Sequence, residues 1–224
     1  MNSVESNSVI SEPHRNTVVQ GNCNKVMRQF RSASVDLVLT DPPYLVNYAS
    51  NDGRTVPNYD NDAWLKPAFA EIYRVLSWNR CCVSFYAWNR ADRFVAALRD
   101  AGFHIACHLA FIKKYASRKR FLAYSHENAY LLAKGSPSPP TQPLRDAIER
   151  QYSGNRLHPT QKPLCLLRRL IESFSLAGDV VLDPFCGSGS TLLAARELDR
   201  RFLGIELDAR YYTVGCDRLC ERQT

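Results

Sequence analysis

Val180-Val181-Leu182-Asp183-Pro184-Phe185-Cys186-Gly187-Ser188-Gly189-Ser190-Thr191 reads as a short apolar strand that runs into a glycine-rich turn and opens a helix. The helix continues over 192–198, a second apolar strand spans 201–205, and that strand ends on Glu206. Gly187 and Gly189 permit a tight turn and a close approach of backbone to a ligand, and the first turn of the helix carries unpaired N–H groups. An acid at the end of the next strand suits the two hydroxyls of a ribose. The pattern predicts an adenosine-containing cofactor. A nicotinamide dinucleotide stays open at this point, although Leu192 stands where a complete Gly-x-Gly-x-x-Gly has its third glycine. The competing reading is a tight turn that binds nothing.

A second strand, 35–40, runs into Asp41-Pro42-Pro43-Tyr44. Neither proline can donate to a sheet ladder, so the strand must stop there. In open α/β sheets ligands bind beyond the carboxyl ends of the strands, so the two motifs share one crevice if their strands are neighbours. Taken alone, the tetrapeptide reads as a proline-terminated strand with a surface tyrosine.

The rest of the chain alternates in the same way, as expected for a mainly parallel sheet with helices on both faces. Residues 17–20 form a short strand ending at Gly21-Asn22, and a helix follows with Val26, Met27 and Phe30 inward. Leu65, Phe69, Ile72, Tyr73 and Leu76 have the spacing of one helix face over 64–76. A strand over 81–86, a helix over 91–101, and two antiparallel strands over 103–112 and 128–133 come next. Residues 135–143 are proline-rich loop. Pro163 starts a helix whose inner stripe is Leu167, Leu170, Ile171 and Phe174, and a last helix spans 209–221.

With 224 residues and 45% hydrophobic content the chain can bury one sizeable core. Its net charge of +7 and pI of about 9.0 favour a polyanionic partner without naming one. The eight cysteines lack paired spacing and several lie in apolar runs, so they read as reduced and structural. Cys216 and Cys220 lie one helical turn apart with no second pair or histidine to complete a site, so no metal is expected. Residues 1–16 are polar and lack a signal-peptide core, and no apolar run reaches membrane-spanning length. A disordered tail over 1–16 and a cytoplasmic protein without a membrane partner are expected.

Asp41-Pro42-Pro43-Tyr44, His158-Pro159-Thr160-Gln161-Lys162-Pro163 and the stretch Asp183 to Thr191 together resemble the β-group of amino-methylating DNA methyltransferases, in which the catalytic motif precedes the cofactor motif as it does here. The resemblance covers about residues 17–221. It implies a single methyltransferase domain over 17–224 with an α/β, Rossmann-like class I methyltransferase fold in circularly permuted motif order. The sheet is expected to have seven strands, mostly parallel, with the 103–133 pair antiparallel.

The same resemblance implies S-adenosylmethionine as cofactor and assigns roles. The carboxylate of Asp41 and the carbonyl of Pro42 accept the two hydrogens of the target amine, Pro43 stiffens the turn, and Tyr44 stacks on the base. The amine is a poor nucleophile, and acceptors that stabilise charge developing on nitrogen supply catalysis without a covalent intermediate. The cofactor is expected to touch Asn22 and Cys23, where many relatives have Gly-Asp in place of Gly21-Asn22, and Asp41. His158, Thr160 and Lys162 join from the middle motif. Asp183, Phe185, Cys186, Gly187, Ser188, Gly189, Ser190 and Thr191 line the turn, and Glu206 and Leu207 take the ribose side.

The implied reaction is site-specific methylation of the N6 amine of adenine, with the base flipped out of double-stranded DNA. Methylation of cytosine N4 is an alternative, and relatives acting on cytosine more often carry Ser in place of Asp41. An RNA adenine methyltransferase and a DNA-binding regulator that has lost activity are the others. For the DNA backbone the candidates are Lys113, Lys114, Tyr115, Arg118, Lys119 and Arg120, in a basic loop over 113–123. Such a run alone is often just a solvated loop. The segment 45–62 is expected to be a mobile lid. The insert over 135–157 is too small for an independent recognition domain, which leaves a short site, recognition shared by a homodimer, or relaxed specificity. Nothing in the sequence points to or against a partner restriction endonuclease.

Overall fold

Along β2 (Val35–Thr40), Leu37 and Leu39 enter one apolar cluster while Val38 enters another, which is the period-two alternation of a strand buried on both faces. The same split divides Val181 from Leu182 in β7 (Val180–Asp183). A computed structural model of the chain describes residues 16–44, 62–114, 121–150 and 161–220. The expected tail before Asn16 and the expected lid before Asp62 lie outside the described residues.

The described sheet has eight strands in the order β1-β8-β7-β2-β3-β5-β4-β6. The remaining strands are β1 (Thr17–Gln20), β3 (Leu76–Tyr86), β4 (His104–Lys113), β5 (His126–Lys134), β6 (Ala147–Arg150) and β8 (Arg201–Glu206). Among them β5 alone runs against its neighbours, pairing antiparallel with both β3 and β4. The expectation of a mostly parallel sheet with an antiparallel pair over 103–133 holds. The seventh-strand limit does not: β6 adds an eighth, parallel to β4, from within the 135–157 insert. Its four residues, Ala-Ile-Glu-Arg, have little strand signature, and pairing with an otherwise open edge makes them a strand.

Helices α1 (Cys23–Met27), α2 (Leu65–Val75) and α3 (Ala91–Ala101) cover one face, with Met27, Phe69, Ile72, Phe94 and Leu98 against the sheet. On the other face α4 (Leu164–Phe174) and α5 (Ser190–Glu197) bury Leu170, Ile171 and Leu192. α6 (Ala209–Cys220) packs beside α5, β1 and β8. Leu76, read from spacing as the last residue of a helix face, instead starts β3. The helix stops at Val75, and buried Lys134 donates from Nζ to the carbonyls of Tyr73 and Leu76 at 2.6 Å each, capping that helix end.

β2 and β7 are parallel neighbours, with Leu37 opposite Val181 and Val38 opposite Leu182. From this pair the chain winds outward in opposite directions, through α2 to β3 and through α5 to β8. Such a reversal point opens a crevice at the carboxyl ends of the strands. Asp41, Asp183 and Glu206 all stand at that end.

Candidate active site

Gly187 and Gly189 have φ of 51° and 75°, the left-handed region in which a side chain is strained. The turn they make is held from several sides. Asp183 Oδ1 accepts from Phe185 N at 3.1 Å and from Thr40 Oγ1 at 3.0 Å, and the hydroxyl of Thr191 adds a further bond. The Thr40 contact ties the end of β2 to the glycine turn directly. Arg218 reaches from α6 to Ser188 O at 3.1 Å and Ser190 Oγ at 2.8 Å. Neighbouring glycines leave room for the layers: a Cβ on Gly204 would stand 2.4 Å from Leu192 Cδ1, and one on Gly215 would stand 3.2 Å from Gly187 O.

Cys186, Ser188, Ser190 and Thr191 are buried, so their side chains build the turn, and it is the backbone that remains for a ligand. Phe185 is half-buried and meets Trp64 edge to face at 5.1 Å between ring centres. Glu206 Oε2 accepts from Gly187 N at 2.8 Å and its Oε1 from Asp208 N at 2.8 Å, while burial pushes its carboxyl up. Leu207 beside it is exposed. Asn22 caps α1, its Oδ1 accepting from Asn24 N at 3.0 Å and Lys25 N at 3.3 Å. Cys23 is buried next to it, its thiol pushed up to about 12 by burial.

Burial also drives the carboxyl of Asp183 from the ordinary 3.8 to about 7, against the three hydrogen bonds it accepts. In the unfolded chain this group loses its proton near 4, so between about pH 4 and 7 folding takes up a proton. The stability it contributes is full below about pH 4 and is lost as the pH rises through about 7. Asp183→Asn keeps an oxygen acceptor and removes the ionisation. Its melting temperature relative to wild type should be higher at pH 8 than at pH 5, and equal differences at the two pH values would refute this.

Across the crevice, Tyr44 Oη donates to Asp41 Oδ1 at 2.6 Å. Lys162 Nζ lies 2.5 Å from Asp41 Oδ2 and 3.2 Å from Tyr44 Oη, and its ammonium sits over the Phe85 ring at 4.6 Å. Lys162, expected at the cofactor, bonds Asp41. Behind it stands Glu127, which no motif contains, at 3.6 Å from Lys162 Nζ and 3.0 Å from Lys113 Nζ. Burial pushes the Asp41 carboxyl up, and the charge and hydrogen bond of Lys162 and the hydroxyl of Tyr44 pull it back.

Of the proposed DNA contacts, Lys113 has its side chain 8% exposed and turned to Glu127, whereas Lys114 is exposed. Tyr115, Arg118, Lys119, Arg120, His158 and Thr160 lie outside the described residues, as does 151–157 of the insert. Thr40, Trp64, Glu127 and Arg218 were not singled out in the sequence. Thr40 directly precedes the Asp41 motif in sequence. The other three become neighbours only through folding.

Three carboxylates at the ends of adjacent strands suit a cofactor that carries positive charge and a ribose, and they oppose the two phosphates of a dinucleotide. Leu192 reinforces this, since its side chain fills the space a third glycine would leave for close helix–strand packing. The residues thus fit S-adenosylmethionine.

A family model described as DNA methylase, N6_N4_Mtase, matches residues 35–215. YubD of Escherichia coli (strain K12), which carries a provisional methylase name, is 50% identical over 205 residues, covering 92% of this chain and 90% of that protein. The crystal structure of the M1.HpyAVI–SAM complex superposes with a TM-score of 0.74 at 25% identity, covering 92% of this chain and 99% of that one. The cytosine-N4-specific PvuII DNA methyltransferase superposes with a TM-score of 0.77 at 16% identity, over 96% of this chain and 91% of its own, a likeness of fold.

Proposed function

The chain belongs to the DNA methylase family of N6 and N4 methyltransferases, and from that premise we propose that it transfers the methyl group of S-adenosylmethionine to the N6 amine of adenine in double-stranded DNA. The observation that carries the reading is Asp41. It is a carboxylate at the carboxyl end of β2, joined through Thr40 and Asp183 to the turn that fits the cofactor.

Bound S-adenosylmethionine supplies an electrophilic methyl group. The protein's part is to hold the amine in line and to favour charge on its nitrogen. Asp41 Oδ1 and the Pro42 carbonyl accept the two amine hydrogens, and Asp41 takes one proton once the new bond forms. Tyr44 gives up its bond to Asp41 and turns its ring onto the flipped base, with Pro43 limiting the motion of the turn. Glu206 holds the ribose hydroxyls, and the backbone of 185–189 holds the methionine part. Carboxylate at position 41, where cytosine-acting relatives more often have Ser, favours adenine. Nucleoside mass spectrometry of DNA and RNA treated with the protein and S-adenosylmethionine tests this. N6-methyladenine in DNA is expected, and N4-methylcytosine, or label in RNA alone, would overturn it.

The duplex is read as lying over the same end of the sheet. Trp88, 59% exposed, follows β3 and stacks on Tyr124 at 5.8 Å between ring centres, just before β5. Phe121 and Leu122 are exposed beside them in sequence, and exposed Lys114 follows β4. β6 ends with Arg150 opposite Lys113, so the insert also delivers chain to this edge. Trp88→Ala should weaken DNA binding about 5- to 150-fold, the loss of one base–aromatic stack worth about 1–3 kcal/mol. S-adenosylmethionine affinity should be unchanged. A fluorescence-anisotropy titration with a labelled duplex reads the effect, and equal DNA affinity would remove Trp88 from the interface.

A further inference from the structure

Four charged side chains from four separate parts of the chain form one row of alternating sign. Lys113 ends β4, Glu127 begins β5, Lys162 precedes α4 and Asp41 follows β2. The successive nitrogen–oxygen distances are 3.0, 3.6 and 2.5 Å, and the side chains are 8%, 22%, 6% and 18% exposed. An ammonium as buried as that of Lys162 needs compensation, and a single aspartate that must also receive a substrate proton is an incomplete partner. Glu127 supplies the second negative group, and Lys113 balances Glu127. The row therefore remains paired at Lys162 even when Asp41 turns its other oxygen to a ligand.

We propose that Glu127 is a positioning residue for methyl transfer: backed by Lys113, it seats Lys162 on Oδ2 of Asp41 and leaves Oδ1 for the target amine. The proposal rests on the reading of Asp41 as the amine acceptor.

Among the described residues, the charged and titratable groups that bear on Asp41 are Tyr44 on its own turn, Lys162 before α4, Glu127 on β5 and Asp183 on β7. Lys162 favours the carboxylate, while burial and the charges of Glu127 and Asp183 oppose it. Removing the charge of Glu127 should thus raise the Asp41 titration while Lys162 is present, because Lys162 loses its seat, and lower it in a chain without Lys162, where only repulsion is left. A charge that merely lies nearby would lower the titration in both backgrounds and would not produce that sign reversal.

The test follows the carboxyl carbon of Asp41 by NMR in protein labelled at aspartate carboxyls, without DNA or cofactor, with the signal assigned by its loss in Asp41→Asn. In Lys162→Met the midpoint should rise by about 1–3 pH units, the effect of losing an opposite charge at contact distance. In Glu127→Gln, which preserves shape, it should rise part of the way toward that of Lys162→Met, and in the double variant it should fall below that of Lys162→Met. The acidic limb of the pH profile of kcat should move the same way in each variant, with Lys162→Arg restoring most of the loss. An unmoved or lowered midpoint in Glu127→Gln, or in Lys162→Met a weaker cofactor KM with an unmoved midpoint, overturns the proposal. If Lys162→Met does not fold, Glu127→Gln decides alone. A wild-type protein that methylates a different base sinks the proposed function and leaves this titration to stand or fall separately.

Discussion

Asp41→Ala should fold, bind S-adenosylmethionine within a fewfold of wild type, and lose methyl transfer by at least about 10²–10³-fold in kcat, the scale seen when one group that stabilises transition-state charge is removed. In the proposed reaction the carboxylate is the acceptor nearest the developing charge, and it is set in a half-dry crevice where that charge is worth more than in water. Asp41→Asn is the sharper probe. It keeps the size and one acceptor oxygen, but it loses the negative charge that both Lys162 and the reacting nitrogen require. Its kcat should fall nearly as far as that of the alanine variant. Single-turnover transfer of a tritiated methyl group to duplex DNA gives the rate, and calorimetry gives cofactor affinity. An asparagine variant with near wild-type turnover would sink the assignment of Asp41 as the charged acceptor.

Glu206→Gln should produce the largest effect on cofactor affinity. The carboxylate is buried at the end of β8, and each oxygen already accepts one backbone N–H, from Gly187 and from Asp208. Those two bonds fix its orientation, so its remaining lone pairs are aimed without further ordering cost. A hydrogen bond to a charged group contributes about 1.5–3 kcal/mol, so loss of charge here should weaken S-adenosylmethionine about 10- to 150-fold. Because the ribose does not react, kcat at saturating cofactor should stay close to wild type while KM rises. In either of its orientations the amide also turns a donor toward one of the two N–H groups, Gly187 N or Asp208 N, which loosens the glycine turn. Unchanged affinity by calorimetry would remove Glu206 from the cofactor site.

Several elements were legible because their signals are local. The turn at 183–191 needs glycines with positive φ, and Gly187 and Gly189 have it. The prolines after Thr40 stop β2 where expected, and the apolar alternation of β2 and β7 marks strands covered on both sides. Other elements were misread for equally physical reasons. Leu76 has helical spacing from Ile72 and Tyr73, yet buried Lys134 terminates that helix from a strand 58 residues later in the chain. The polar start of β3, with Trp78 and Asn79 exposed, carries no strand signal, and the register that places it there pairs Leu76 with Val35 of β2. β6 arose in the same way from the edge of β4.

The sequence by itself determined the fold class, the order of the two motifs, and the residue types at the ends of β2, β7 and β8, because backbone stereochemistry and apolar periodicity act over a few residues. Tertiary structure alone decided that β2 and β7 are neighbours, that Thr40 bonds Asp183, and that Lys162 rests on Asp41. It alone brought Glu127, which no motif marks, into the site beside Lys113. Charge acts through space, and in a buried crevice a partner 86 or 121 positions away along the chain matters as much as an adjacent one. The tetrapeptide at 41–44 supplies the carboxylate of Asp41, and its neighbours in the fold set that group's electrostatic surroundings.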